Sequence, residues 1–235
     1  MLILDQVDTN TLDSTANDIV GGRADISEYF KKRTSCPLCE WGEPHNWIAL
    51  FSLQQLSWKI RVVECPRCGF CFKDWIPSKF LMSRIYSNSY AHFTPCSRSA
   101  MSIQALGSRV QRLGPPRGRH LDYCCGSGGF VKAAVNAGWD AYGADPFLLE
   151  DEFPEDLRER LFRADVTVPD QRASLGRYDC ISVWAGMEHI ANAGEAARGL
   201  LALLETGGKF IFNSPNAKSL IAKTSGAKWA MAQLV

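Results

Sequence analysis

One stretch of the sequence limits the possible folds more than any other: an apolar run, a glycine-rich loop and a helical pattern follow one another over Leu121–Phe130. Glycines in such a loop let the backbone pass close to a bound ligand, because no Cβ atom intervenes. A strand, a glycine loop and a helix in this order are typical of parallel α/β sheets that bind ligands at the carboxyl ends of their strands. The loop alone also fits a dinucleotide, so it leaves the ligand open.

Short apolar runs alternate with helical segments around this loop. We expect strands at His120–Cys124, Trp139–Ala144, Leu161–Ala164, Tyr178–Trp184 and Lys209–Asn213. Helices are expected at Ser99–Leu113, Gly129–Ala137 and Gly194–Leu204, with Gly138 and the Gly207-Gly208 pair following the last two. Alternation of this kind predicts an α/β fold with a Rossmann-like, doubly wound and mostly parallel sheet.

Carboxylates stand where two of the predicted strands end. Asp145 follows the second strand, where it can accept hydrogen bonds from ribose hydroxyls, and Asp165 follows the third, where it can meet an adenine amino group. An acidic residue after the second strand is shared by nicotinamide and S-adenosylmethionine sites, so it does not separate the two.

A second module precedes this domain and is defined by cysteines. Cys36-Pro37-Leu38-Cys39 and Cys65-Pro66-Arg67-Cys68 form two C-x-x-C knuckles separated by 25 residues. Four thiolates are the closed tetrahedral set of structural zinc, which predicts a Zn(2+) site on Cys36, Cys39, Cys65 and Cys68. The alternatives are one redox-active C-x-x-C, coincidental apolar cysteines, or Cys71 replacing Cys68 as a ligand.

The composition narrows the function classes. A net charge of +1 over 235 residues offers no general field for nucleic acid, and no apolar stretch is long enough for a bilayer. We therefore expect a cytoplasmic protein whose nine cysteines are thiols or metal ligands rather than a disulfide framework. We divide the chain into a segment of unknown role (1–34), a zinc knuckle module (35–75), a linker with a helix (76–117) and the cofactor domain (118–235).

The series LDYCCGSGGF, YGADP, ADV, YDCISVWAGMEHI and LLETGGKFIFNSPN resembles, in order and spacing, the class I S-adenosylmethionine-dependent methyltransferases. The likeness is greatest to the ubiquinone-methyltransferase-like branch that acts on small molecules and sugars. Some members of that branch carry an N-terminal C-x-x-C…C-x-x-C-G module leading into a segment like Phe70–Pro77. The resemblance covers about residues 36–216 and implies S-adenosylmethionine as cofactor and a small-molecule acceptor.

The resemblance also implies roles for individual residues. Asp122, Gly126 and Gly128 surround the methionine part of the cofactor, Asp145 binds the ribose, and Asp165 with Val166 holds the adenine. The floor near the sulfonium is formed by Trp184, Ala185 and Glu188, and Tyr86 or Tyr90 brings an aromatic ring over the cofactor. With the two neighbours Cys124 and Pro146, the cofactor-binding set is Asp122, Cys124, Gly126, Gly128, Asp145, Pro146, Asp165, Val166, Trp184, Ala185, Glu188 and Tyr90.

His189 is the candidate catalytic base. It is the only histidine after the glycine loop, and an unperturbed imidazole titrates near neutral pH, as a general base requires. In the alternative, His189 only packs or caps the junction between a strand and a helix.

Two departures from the family's pattern bear on activity. The first glycine of the loop is Cys124 here, and only 22 residues follow Asn213, too few for a helix and the last two strands of a seven-stranded sheet. We expect the sheet to end at the Lys209–Asn213 strand, with an exposed edge that a homodimer partner or another chain covers.

Three functions compete. The first is an active small-molecule methyltransferase, and the second is a catalytically silent methyltransferase-like subunit that binds the cofactor or a partner. The third is an NAD-dependent oxidoreductase, for which the Glu188-His189 segment and the Gly207-Gly208 turn leave little room for a nicotinamide.

Overall fold

The computed structural model describes residues 30–55, 58–79, 82, 100–148, 155–229 and 231. These residues divide into two compact units, one from the described parts of 1–89, 191–194 and 215–235, the other from those of 90–190 and 195–214. Among the described residues, no helix has the length and apolar character to cross a membrane.

The strands, in chain order, are β1 (Phe30–Lys32), β2 (Ile48–Gln55), β3 (Trp58–Glu64), β4 (Cys71–Lys73), β5 (Trp75–Pro77), β6 (Arg119–Tyr123), β7 (Asp140–Asp145), β8 (Leu161–Arg163), β9 (Tyr178–Trp184) and β10 (Leu204–Asn213). The α-helices are α1 (Ala100–Leu113), α2 (Gly129–Asn136), α3 (Pro169–Ser174), α4 (Ala193–Ala202) and α5 (Leu220–Ser225). Short 3-10 turns lie at Pro44–Asn46, Glu155–Arg160, Met187–His189 and Gly226–Lys228.

The first unit contains two small antiparallel sheets. Strands β2, β3 and β4 form one, and β1 pairs with β5 in the other. One knuckle lies between β1 and β2, the other between β3 and β4. The core around them is small and consists of Cys36, Trp47, Val63, Cys65 and Phe72. Residues 30–32, for which the sequence predicts no role, thus supply a strand to this unit.

The described residues from Pro215 onward depart from the predicted domain division, which places them in the cofactor domain. They group with the cysteine unit instead. The edge of the Trp229 ring meets Phe51 with centroids 6.3 Å apart, and Lys218 forms an ion pair with Glu64. Apolar burial of Trp229 and this charge pair hold the segment there.

The second unit is the predicted Rossmann-like sheet, and the fold class is confirmed. Its five strands are parallel and run in the order β10-β9-β6-β7-β8. The central strand is β6, which comes first in the chain among these five. Successive side chains of β6 face opposite sides: Leu121 and Tyr123 pack in one core, and His120 and Asp122 point to the other. Phe130 of α2 lies in the core on the His120 side.

Strand β10 begins earlier than the sequence predicts, at Leu204 rather than Lys209. The pairing with β9 shifts register between these two residues, and Gly207 has a φ of 81°. The two glycines expected to form a turn therefore form an irregularity within a longer strand, because glycine allows the left-handed backbone that such a bulge needs.

Candidate functional site: the carboxyl edge of the parallel sheet

The order of the strands creates a switch point between β6 and β9, where connections leave toward opposite faces. In sheets of this kind a ligand binds in the crevice at that point. Most of the buried polar side chains in the described residues lie on the central strands of this sheet: His120, Asp122, Asp145 and Ser182, the fifth being Asp74 of the other unit. A concentration of buried polar groups at one sheet marks it as the candidate site.

Backbone strain lies on both sides of the switch point. Cys124, directly after β6, has a φ of 61°, and Ala185, directly after β9, has a φ of 53°. Non-glycine residues rarely adopt this left-handed region, and where they do, the site around them is often functional. Among the described residues the only other case is Glu40, in the first cysteine knuckle.

Asp145 connects the glycine loop to the neighbouring strand. Its Oδ2 accepts the N–H of Gly126 at 3.1 Å, and its Oδ1 accepts the N–H of Phe147 at 2.9 Å. Burial raises the pKa of Asp145, and the two N–H groups act in the opposite direction. Since an ionised carboxylate has about four acceptor sites, lone pairs remain for a ligand's hydroxyl groups.

Asp122 is buried at the end of β6 and belongs to a hydrogen-bonded chain. Ser182 of β9 donates its hydroxyl to Asp122 Oδ1 at 2.7 Å, and His120 Nε2 lies 2.9 Å from Ser182 Oγ. Burial raises the pKa of Asp122 to about 7 and lowers the pKa of His120 to about 4. His120 is therefore neutral near pH 7, while Asp122 titrates there.

Two further predicted residues have polar atoms that are buried and without a hydrogen-bond partner in the described part of the chain, namely Trp184 Nε1 and Glu188 Oε2. The Trp184 ring meets the edge of Phe130 at 5.5 Å, and the guanidinium of Arg109 lies 5.6 Å from its centroid. Buried polar atoms are normally paired, so two such atoms near one strand end fit a place built for a polar ligand.

Asp165 and Val166 follow β8, as predicted, but differ in environment. Asp165 is half-buried, and its Oδ1 accepts both the N–H and the hydroxyl of Thr167, at 2.9 and 2.6 Å. Val166 is fully buried in the core, and its N–H lies 3.4 Å from the hydroxyl of Tyr123. Asp165 therefore remains accessible to an adenine ring, whereas the Val166 side chain serves packing.

The remaining predicted residues lie around the same strand ends, with one exception. His189 closes the Met187–His189 turn and is half-buried, with its N–H bonded to Gly186 O at 3.0 Å. The N–H of Ala185 donates to Asn213 Oδ1 at 2.8 Å, which fixes the start of that turn against β10. Tyr90, like Tyr86, lies outside the described residues.

The cysteine unit forms a second candidate site, and its two knuckles have matching backbones. Cys36 and Cys65 each donate an N–H to the carbonyl five residues later, and each accepts from the N–H four residues later, all at 2.8–2.9 Å. The residues at that fourth position, Glu40 and Gly69, have φ of 61° and 73°. Backbone N–H groups face the sulfurs, and the one from Trp41 lowers the pKa of Cys39 to about 7.

The four predicted ligand sulfurs converge. Sγ atoms of Cys36, Cys39, Cys65 and Cys68 all lie within 4.8 Å of one another. The Cys36–Cys68 and Cys39–Cys65 pairs are 3.7 Å apart, too far for disulfides. Zn–S bonds of about 2.3 Å at tetrahedral angles give sulfur–sulfur edges of about 3.8 Å, so the cluster has the dimensions of a zinc site.

The sequence reasoning missed Ser182, His120 and Arg109. Ser182 and His120 each interrupt an otherwise apolar strand with a polar residue, and this pattern marks buried residues with a polar role. Arg109 offers no such indication, since an arginine on an amphipathic helix is ordinary, and only the tertiary structure brings it to Trp184.

The comparisons with known proteins agree with this geometry. Residues 94–234, more than half of the chain, match the family described as "Methyltransferase domain", and the chain belongs to that family. Membership argues against the oxidoreductase alternative. The comparison with curated proteins found no match.

Solved structures of methyltransferases are among those that match the chain. The glycopeptide N-methyltransferase MtfA, complexed with S-adenosylmethionine, is 20% identical over 50% of this chain and 57% of its own, with a TM-score of 0.38. Magnesium protoporphyrin IX methyltransferase from Synechocystis is 16% identical over 59% of this chain and 76% of its own, with a TM-score of 0.47. The sugar N-methyltransferase KedS8 from Streptoalloteichus is 20% identical over 56% of each chain, with a TM-score of 0.40. The chain thus spans little more than half the length of the first of these structures.

Proposed function

We propose that the chain binds S-adenosylmethionine at the carboxyl edge of its parallel sheet and transfers the methyl group to a small-molecule acceptor. The observation that carries this proposal is Asp145: its buried carboxylate accepts the N–H of Gly126 and lies at the carboxyl end of β7, where ribose hydroxyls bind in such sheets. When bound, the cofactor supplies a methyl group on a sulfonium, already activated for displacement.

The chain's own residues then bind the cofactor, orient it toward the acceptor and exclude water. Asp122 lies at the end of β6 beside the glycine loop, where its carboxylate meets the cofactor's ammonium group. Asp165 would hold the adenine, and Trp184 and Glu188 would line the pocket near the sulfonium. His189 is the proposed base that accepts the acceptor's proton, from the turn after β9.

A direct test is calorimetric titration with S-adenosylmethionine. Asp145→Asn removes the charge while keeping the size, and it should weaken binding by about 30-fold, since charge-assisted hydrogen bonds are worth about 2 kcal/mol. Asp140→Asn is the matched control, because Asp140 lies on the same strand but half-exposed, paired with Arg160. Absence of binding by the unaltered chain at millimolar cofactor would refute the proposal.

A catalytically silent, cofactor-binding subunit is the second candidate function. The observation favouring it is Cys124, which has a side chain at the loop position where related enzymes have glycine, although its backbone φ is 61°. Binding without turnover of any acceptor would support this alternative, whereas turnover would exclude it.

Zinc at the four-cysteine cluster, a cytoplasmic location and a partner chain are parts of the same proposal. All eight cysteines described by the structure are free thiols, as a reducing compartment requires. Strand β10 is the edge of the five-stranded sheet, and Phe212 on it is 53% exposed. We propose a second copy of the chain against this edge, which sedimentation of the protein at increasing concentration tests.

A further inference from the structure

A polar chain crosses the central strands of the sheet in the otherwise apolar core. His120 and Asp122 face the same side of β6, and Ser182 of β9 is the register partner of Asp122. The exposed fractions of His120 and Ser182 are 0%, and that of Asp122 is 3%. Burying three polar side chains in a sheet core is unfavourable unless they bond to one another.

The hydrogens in this chain have a defined direction when Asp122 is ionised. A carboxylate only accepts, so the single hydroxyl hydrogen of Ser182 points to Asp122 Oδ1, over 2.7 Å. Ser182 Oγ is then free to accept from His120 Nε2–H, at 2.9 Å. His120 therefore carries its proton on Nε2, with its ring edge-on to Phe130 and Trp139, each with centroids 5.8 Å away.

We infer that Ser182 and His120 are positioning residues for cofactor binding: they hold the Asp122 carboxylate and its charge in place for the cofactor's ammonium group. The inference rests on the proposed function. His120 keeps the Ser182 hydroxyl directed at Oδ1, which leaves Oδ2 to accept from the ligand. Ser182 acts through Asp122 and is not itself a nucleophile, because it is fully buried and its proton is committed to the carboxylate.

The charged surroundings of Asp122 give the inference a second readout. Arg109 of α1 lowers the pKa of Asp122 and Asp145, the last residue of β7, raises it, while Cys124 and Cys125 in the loop are thiols whose pKa burial raises. The Ser182 hydrogen bond lowers the pKa of Asp122, so its removal moves ionisation to higher pH. Affinity for a ligand ammonium should therefore rise with pH until the ligand's own α-amino group loses its proton, at about pH 7.7–8.0 for an ordinary one. Without the Ser182 hydroxyl, the midpoint of this rise should move upward.

The test is calorimetric titration of the whole chain with S-adenosylmethionine between about pH 5.5 and 8, where the ligand keeps most of its ammonium form, with folding checked by circular dichroism. Ser182→Ala should weaken binding about tenfold at pH 7 and raise the midpoint. Cys180→Ala is the matched control: it also removes one γ atom from a buried residue of β9, and it should stay within about twofold of the unaltered chain. His120→Leu should weaken binding severalfold, and His120→Gln, which keeps an N–H donor, should restore most of it.

Equal affinities for Ser182→Ala and Cys180→Ala, or an unmoved pH midpoint, would overturn the positioning role while leaving the proposed function intact. Equal losses in His120→Leu and His120→Gln would remove His120 from the chain. No binding by the unaltered protein would overturn the proposed function, and this inference with it.

Discussion

Replacing one cysteine of the cluster provides the sharpest test of the zinc site. Cys68 belongs to the set of four converging sulfurs, whereas Cys71, three residues further on, does not and lies 3.7 Å from the Gly69 carbonyl. Cys68→Ser should weaken zinc binding by more than about 100-fold, because changes outside the ligand shell alone cost about 10- to 100-fold. Cys71→Ser should leave the affinity unchanged.

The geometry sets the expected magnitudes. Sulfur–sulfur separations of 3.7 Å correspond to four Zn–S bonds of about 2.3 Å, which X-ray absorption spectroscopy of the zinc-loaded protein measures directly. The core around the cluster has five buried residues, too few to fold a module alone, so metal binding supplies much of its stability. A strong chelator should therefore abolish amide-exchange protection in β3.

Several results would refute this reasoning. They are a purified protein without metal whose β3 amides stay protected, a spectrum with fewer than three sulfur ligands, and equal loss of zinc in the two serine variants. Metal analysis of the purified chain should find about one zinc per molecule.

Two further predictions concern the carboxyl edge of the sheet. A Cβ atom at Gly186 would lie 2.7 Å from Cys124 Cβ, so Gly186→Ala should lower the melting temperature, and adding Cys124→Gly should recover most of the loss. An equal loss in both backgrounds would contradict this contact. Asp122 has a pKa of about 7 in the folded chain against 3.8 ordinarily, so its burial destabilises the fold increasingly as pH rises between these values. Asp122→Asn should therefore melt a few degrees higher than the unaltered chain at pH 8 and equally at pH 4, while losing cofactor affinity. A lower melting temperature at pH 8 would contradict the direction of the pKa shift.

The sequence was sufficient for four of the five strands of the second unit, because each of these is a short apolar run followed by a distinct turn, whereas the early start of β10 was missed. His120–Cys124 was predicted and Arg119–Tyr123 is observed, and Tyr178–Trp184 agrees at both ends. Local pattern was insufficient for β2 and β3 in the cysteine unit. These strands are neighbours in the chain and pair with Gln55 opposite Trp58, but the intervening Leu56-Ser57 lacks the glycine or asparagine by which a sequence marks a tight hairpin.

The sequence also predicted residues that the structure brings together at both candidate sites. The spacing of the knuckles predicted the four converging sulfurs. The positions of Asp145 and Asp165 near strand ends predicted that both lie at one edge of the sheet, because a parallel sheet brings all its carboxyl strand ends to the same edge. A knuckle or a strand end can be predicted from the spacing within one motif, because each forms from residues that are close together in the chain.

Cys124 is an example of what could not be predicted from the sequence. The substitution for glycine was visible in the sequence, but its φ of 61° and its contact with Gly186 were not. The bond from Ser182 to Asp122 joins residues 60 positions apart, and Arg109 reaches Trp184 from a helix that precedes the sheet. Tertiary structure alone decides such contacts, because strand order and helix placement choose which distant side chains share a buried space.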